Sequence, residues 1–215
     1  MMIKIKSDYT RQIILKFEDF FKTQMYGNQI KFILNRGGKT FIFLYEDLMK
    51  FDSRIAKLLK NMQENTLELA EKALKNILKG YLREKMTDKE YFVCVTTKDE
   101  KCPLRVGFND FRTKNLGKLL IFDGRVIYCA RSELNPKEAN YIQTQRITLQ
   151  EIQKHTSCMT HKRNIWVMIS EDMVDTVKKG QKLRLTGTLE VDLSKIKKNQ
   201  GFSNFFIKAN YISKL

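Results

Sequence analysis

The chain has 215 residues, 42% hydrophobic and 30% charged, a balance that supports a buried core and excludes a disordered chain. Its 40 Lys and Arg against 24 Asp and Glu leave a formal charge of +16, a self-repelling field that points to a polyanionic partner, with a plain lysine-rich composition as the alternative. Apolar runs stay short of the ~18 residues of a membrane span, and the N-terminus lacks the apolar core and cleavage site of a signal peptide, so an intracellular protein is expected.

In residues 10–25, Ile13, Ile14, Phe17, Phe20 and Phe21 recur at helical intervals and predict a helix with one buried face. Phe41-Ile42-Phe43-Leu44 predicts a short buried strand. Asp52 is placed to cap a helix carrying Ile55, Leu58, Leu59 and Met62, and a further helix carries Leu67, Ala70, Leu74, Ile77, Leu78 and Tyr81. Residues 1–88 are therefore expected to form a mainly helical subdomain.

Beyond this the texture changes to short runs rich in Val, Ile, Phe and Tyr between Gly, Asn, Asp and Lys clusters, the pattern of consecutive strands. Strands are predicted near 91–96, 118–128, 141–150, 164–170, 182–191 and 204–213. An α+β fold follows, with residues 89–215 as a small barrel such as the OB-fold, a frequent carrier of single-stranded nucleic acid. Periodicity alone does not separate this barrel from other small antiparallel ones.

Few segments invite a chemical reading. Arg36-Gly37-Gly38-Lys39-Thr40 resembles the end of a phosphate-binding loop, but the required first glycine falls at Ile33 and the segment precedes a strand instead of following one, so a Gly-Gly turn is expected. Cys94, Cys102, Cys129 and Cys158 contain no CxxC pair and fit neither a disulfide framework nor a four-ligand zinc site. Cys158-Met159-Thr160-His161, with His155 nearby, is half a metal site without its other half. With only two histidines and scattered carboxylates, no catalytic set is expected. More informative are Lys195, Lys197, Lys198 and Lys208, in or beside the turn between the last two strands, where Phe202, Phe205 or Phe206 would stack on bases or pack. The alternative is a solvated turn over core aromatics.

Several segments, in order, resemble the N-terminal region of the minichromosome maintenance (MCM) replicative helicases. Phe41-Ile42-Phe43-Leu44-Tyr45-Glu46-Asp47-Leu48, then Phe51-Asp52 and Leu67-Glu68-Leu69-Ala70-Glu71-Lys72-Ala73-Leu74, resemble its helical part. Phe111-Arg112-Thr113-Lys114-Asn115-Leu116-Gly117-Lys118-Leu119 and Asp123-Gly124-Arg125-Val126 resemble its Leu-Arg, Gly-Lys-Leu and Gly-x-Val signature, and Gln145-Arg146-Ile147-Thr148-Leu149-Gln150-Glu151 its Gln-Lys-Ile strand. Glu171-Asp172-Met173-Val174-Asp175 and Leu185-Thr186-Gly187 resemble its Asp-Leu-Val-Asp step and Thr-Gly strand, and Lys179-Gly180-Gln181 stands at its Pro-Gly-Asp turn with Lys179 and Gln181 in place of Pro and Asp.

The resemblance implies a helical subdomain, then an OB-fold with a long C-terminal β-hairpin, and assembly into a ring, usually a hexamer, whose channel encloses single- or double-stranded DNA. It implies DNA contacts at hairpin residues Lys195, Lys197 and Lys198 and at barrel residues Arg112, Lys114, Arg125 and Arg146, the latter as basic residues on matching strands. The loop through His155 to Lys162-Arg163-Asn164 stands where the family has a loop communicating with its motor, without the usual Pro-Arg step. The family also inserts a zinc subdomain between early barrel strands. Here the interval 129–140 is too short and too poor in ligands, so neither zinc nor another cofactor is expected. The expected function is the single-stranded-DNA-binding, ring-forming tier of a helicase, not itself an enzyme. The alternative is a stand-alone, motor-less OB-fold protein that binds nucleic acid or modulates a partner helicase.

Overall fold

The computed structural model describes residues 2–82, 90–137, 140–152, 162–192 and 205–215, which fall into two compact units, Met1–Cys102 and Pro103–Leu215.

In the first unit, helix α1 (Met2–Phe21) buries Ile13, Phe17, Phe20 and Phe21, the face its periodicity marks out. The helix stops at Thr23, whose hydroxyl donates to Phe20 O at 2.8 Å, and α2 (Gln24–Arg36) starts again, burying Tyr26, Ile30 and Ile33. Gly37 closes α2 in the left-handed region (φ 70°) with its N–H on Ile33 O, and strand β1 (Thr40–Leu44) follows. The Gly-Gly pair is thus a helix stop entering a strand, the reverse of the strand-turn-helix order of a phosphate loop. Short α3 (Tyr45–Phe51) leads to α4 (Ser53–Lys60), capped by Asp52, whose Oδ1 accepts from the Arg54 and Ile55 N–H groups at 2.9 and 3.3 Å. Helix α5 (Thr66–Leu82) packs on α1 with Ala70, Ala73, Leu74 and Leu78 fully buried.

Aromatic rings fill this core, Phe21 lying 4.5 Å from Phe41 and Phe20 edge-on to Phe43 at 5.5 Å. The Tyr26 hydroxyl donates to Asp47 Oδ2 at 2.7 Å and accepts the Leu44 N–H at 3.0 Å, so the acidic Asp47-Leu48 step fastens α2 to the end of β1.

Strand β2 (Phe92–Thr96), expected at the head of the barrel, instead pairs in parallel with β1, from Thr40↔Phe92 to Leu44↔Thr96. Residues 90–102 accordingly lie with the helical unit, and the units divide at 102/103 where a boundary at 88/89 was expected. Val93, Cys94 and Val95 are consecutive and all buried, so β2 shows no in–out alternation that would have assigned it to one sheet face.

The second unit is a closed barrel of β3 (Leu119–Lys137), β4 (Asn140–Glu151), β5 (Asn164–Ser170), β6 (Lys182–Val191) and β7 (Phe205–Lys214), in the spatial order β3-β4-β5-β7-β6. Only β5 and β7 run parallel. This is the five-stranded OB-fold barrel. Its core takes the inward residues of each strand: Leu120 and Phe122, Ile147 and Leu149, Ile165 to Ile169 in alternation, Leu183, Leu185 and Leu189, and Ile207. Phe108 and Phe111 from the entering segment pack edge-on against Phe122 at 5.6 and 4.9 Å.

One departure from expectation involves β3. It runs on to Lys137, pairing with β4 down to Lys137↔Asn140, where a strand end near residue 128 was expected. Arg131-Ser132-Glu133-Leu134-Asn135-Pro136 reads as a loop because a two-stranded ribbon without a core behind it imposes no apolar alternation; Leu134 is 71% exposed.

Candidate nucleic-acid interface

The outward residues of the barrel follow from its register. Tyr128 stands opposite Thr148, Thr148 opposite Trp166, Trp166 opposite Phe206 and Phe206 opposite Glu190, giving one continuous row across β3, β4, β5, β7 and β6. The adjacent row is Arg146, Met168, Lys208 and Thr188. Partners in a ladder project to the same face, so the aromatic row and the basic row lie side by side on the barrel's outer surface.

Within this patch Trp166 and Phe206 are stacked, with centroids 4.3 Å apart and planes 9° from parallel. The Arg146 guanidinium lies over the Trp166 ring at 4.5 Å, a cation–π contact on an exposed surface. Lys208 is exposed beside them, and Tyr128 is 56% exposed at the end of the row. Aromatic faces interleaved with guanidinium and ammonium groups are what a flexible polyanion with unpaired bases requires.

The structure treats the expected DNA residues unequally. Arg146 is at the centre of the patch. Arg125 is exposed on β3, opposite Gln150 on β4 and Lys182 on β6, one row beyond the aromatics. Arg112 and Lys114 are not on barrel strands: both lie in the segment before β3, Lys114 in a 3-10 turn (Thr113–Asn115) with Asp110 Oδ1 3.8 Å from its Nζ. That segment meets the barrel at Gly117, whose N–H donates to Leu189 O near the end of β6. Lys195, Lys197 and Lys198 lie outside the described residues, as do His155, Cys158 and His161. The hairpin strands are nonetheless defined up to Val191↔Phe205, so the lysine-bearing connection leaves the barrel one residue from Phe206.

Trp166 and Tyr128 were not singled out from sequence. In β5 a signal existed: Ile165, Val167 and Ile169 alternate inward, which leaves the chain's one tryptophan on the solvent side.

Electrostatics on the neighbouring strands are structural. Asp123 on β3 accepts from Arg184 Nε and Nη2 at 2.9 and 3.1 Å and from Arg105 Nη2 at 2.8 Å. Burial opposes its ionisation, but the two guanidinium groups outweigh burial and hold its carboxyl below the ordinary value. Cys129 packs against the barrel core, its thiol donating to Val177 O at 3.7 Å with burial raising its pKa. Among the described residues no group of three or more His, Cys, Asp or Glu is placed to hold a metal.

Sequence comparison assigns both units. Residues 14–97 match the model of the MCM N-terminal domain, and residues 128–192 match that of the MCM OB domain. The chain belongs to the MCM family. It carries that family's nucleic-acid-binding N-terminal module. The first match ends just past β2, in keeping with that strand's place beside β1, and the second contains Tyr128, Arg146 and Trp166. No curated protein sequence matches the chain. No helix among the described residues is long and apolar enough to cross a membrane.

Proposed function

We propose that this chain is the single-stranded-DNA-binding, ring-forming N-terminal tier of an MCM-type replicative helicase, and that it contributes binding and assembly without catalysis. The observation that carries the reading is the outer face of β4, β5 and β7, where Arg146 and Lys208 flank stacked Trp166 and Phe206 on a barrel matched by the MCM OB model. The second and third strands of an OB barrel, with the loops joining strands one to two and four to five, are its usual oligonucleotide face. Here those loops are the β3–β4 ribbon end and the β6–β7 connection bearing Lys195, Lys197 and Lys198. The net charge of +16 favours the same partner.

Two further elements belong to the proposal. The module folds without zinc, because the interval available to a zinc subdomain is spent on the β3–β4 ribbon. The chain does not hydrolyse ATP, because Gly37-Gly38 ends a helix and presents no phosphate cradle.

Fluorescence anisotropy with single-stranded and duplex oligonucleotides, run beside light scattering of the same mixtures, tests the reading. Tight, salt-sensitive binding of the single strand is expected, with mass rising from the 25.4 kDa monomer as protein or single strand is added. A chain that stays monomeric at high concentration with DNA present is not a ring former, and one that ignores both oligonucleotides at low salt is not a DNA-binding tier.

A further inference from the structure

We infer that Trp166 is a base-stacking position whose outer face is held by Arg146 until a single strand binds, when an unpaired base takes the place of the guanidinium and Arg146 turns to the adjoining phosphate. The inference rests on the single-strand binding proposed above and specifies how that strand is read.

The geometry carries it in three steps. Phe206 lies flat against one face of Trp166, at 4.3 Å and 9°, so the indole is braced and offers only its opposite face to a ligand. That opposite face is occupied by a group of the right shape, since a planar guanidinium at 4.5 Å sits about where a stacked base would. Arg146 is exposed and forms no ion pair among the described residues, so its charge is available to a phosphate without a protein carboxylate to leave.

Magnitudes decide the direction of the exchange. An exposed cation–π contact shifts an equilibrium by roughly 2- to 5-fold, whereas a base stacked on an aromatic side chain shifts it by roughly 5- to 150-fold. The base therefore displaces the guanidinium, and Arg146 regains a partner in the backbone that arrives with it. Duplex DNA cannot make the exchange, because its bases are already stacked on one another.

Trp166 is the chain's only tryptophan, so its emission reports this site alone. The full chain is titrated with an oligothymidylate of roughly 16 nucleotides, the upper site size of one OB barrel, and with an abasic oligonucleotide of the same length, following anisotropy and tryptophan emission together. Oligothymidylate is expected to quench the emission over the same concentrations that raise the anisotropy, while the abasic strand binds without quenching. Trp166→Leu should weaken oligothymidylate binding roughly 5- to 150-fold and leave abasic binding unchanged. Should that variant not fold, the contrast between the two strands on the wild-type chain still decides. Oligothymidylate binding with unchanged emission, or equal quenching by the abasic strand, overturns the stacking site and leaves single-strand binding standing. Failure of both strands to bind overturns the proposed function and the stacking site with it.

Discussion

Gln145 and Asp175 fasten to each other twice across the barrel: the Gln145 side chain accepts the Asp175 backbone N–H at 3.0 Å and donates to Asp175 Oδ1 at 3.1 Å. The same amide nitrogen donates to Ala130 O at 2.9 Å, so one buried glutamine joins β4, the bulged part of β3 and the turn before β6. Asp175 sits in the left-handed region, φ 59°, a conformation aspartate tolerates better than most residues. The sequence likeness in these segments therefore has a structural cause. Gln145→Leu removes the partner of the half-buried Ala130 carbonyl and of the Asp175 N–H and should cost roughly 0.5–1.5 kcal/mol, read as a lower urea midpoint at unchanged slope. Gln145→Glu, which sets a carboxylate against Asp175, should be worse at neutral pH than in mild acid. A midpoint unmoved by either change would mean the clamp is incidental.

Gly187 is where the β6–β7 ladder slips a residue, Thr186 pairing with Tyr211 and Gly187 with Ala209. A Cβ there would stand 2.4 Å from Ile207 Cγ2 and 2.6 Å from the Lys208 carbonyl oxygen, and the second of these is backbone. Gly187→Ala should cost at least about 1–3 kcal/mol by overpacking. Gly80, exposed on α5 with nothing within 4 Å of its ideal Cβ, supplies the contrast, since Gly80→Ala should gain about 0.5–1 kcal/mol of helix stability. Thermal melts of the two variants should move in opposite directions, and like shifts would contradict the assignment of Gly187 to a close approach.

Asp123 makes the barrel acid-sensitive in a defined sense. Its folded carboxyl titrates below the ordinary value because Arg184 and Arg105 outweigh the opposing effect of burial. A carboxyl depressed in the folded state contributes stability that is fully present above its unfolded pKa of ~3.9 and is lost as pH falls from there through the folded value. Asp123→Asn removes that contribution, so the stability difference between wild type and variant should be constant above about pH 5 and shrink towards acid. Parallel urea curves from neutral pH down to acid measure it. A difference that grows in acid would show that the guanidinium groups do not govern Asp123.

Legibility in the sequence tracked how directly a residue's neighbours were encoded by its own strand or helix. The barrel strands were readable because Ile165, Val167 and Ile169, or Leu183 and Leu185, alternate against a single core. Strand β2 was placed with the wrong partner because burial on both faces erases alternation, and α2 passed unseen because Gly27, Asn28 and Gln29 dilute its apolar face. The patch was less accessible still. That Arg146 meets Trp166, and Trp166 meets Phe206, depends on the register of three strands separated by up to sixty residues, and no single segment carries that information. Arg112 and Lys114 show the converse, since a motif identified them but their segment precedes the barrel strand.

The hairpin lysines separate the two ways this barrel could hold a strand. Lys195, Lys197 and Lys198 fall in sequence between β6 and β7, whose described pairing ends at Val191↔Phe205. Lysines on a turn usually contribute little to stability, and changing all three to Ala should leave thermal melts nearly unmoved. Each phosphate contact with a single strand adds about 0.7 to the slope of log affinity against log salt, so losing three should flatten that slope by roughly 2 units, for every base sequence alike. Quenching of Trp166 at saturation should survive, because the base-stacking face is intact. A salt titration of wild type and triple mutant, with melts of both, checks this. Coincident slopes with coincident melts would place the phosphate contacts elsewhere, and Arg125, Arg146 and Lys208, exposed on the barrel strands themselves, would then be the cations to change next.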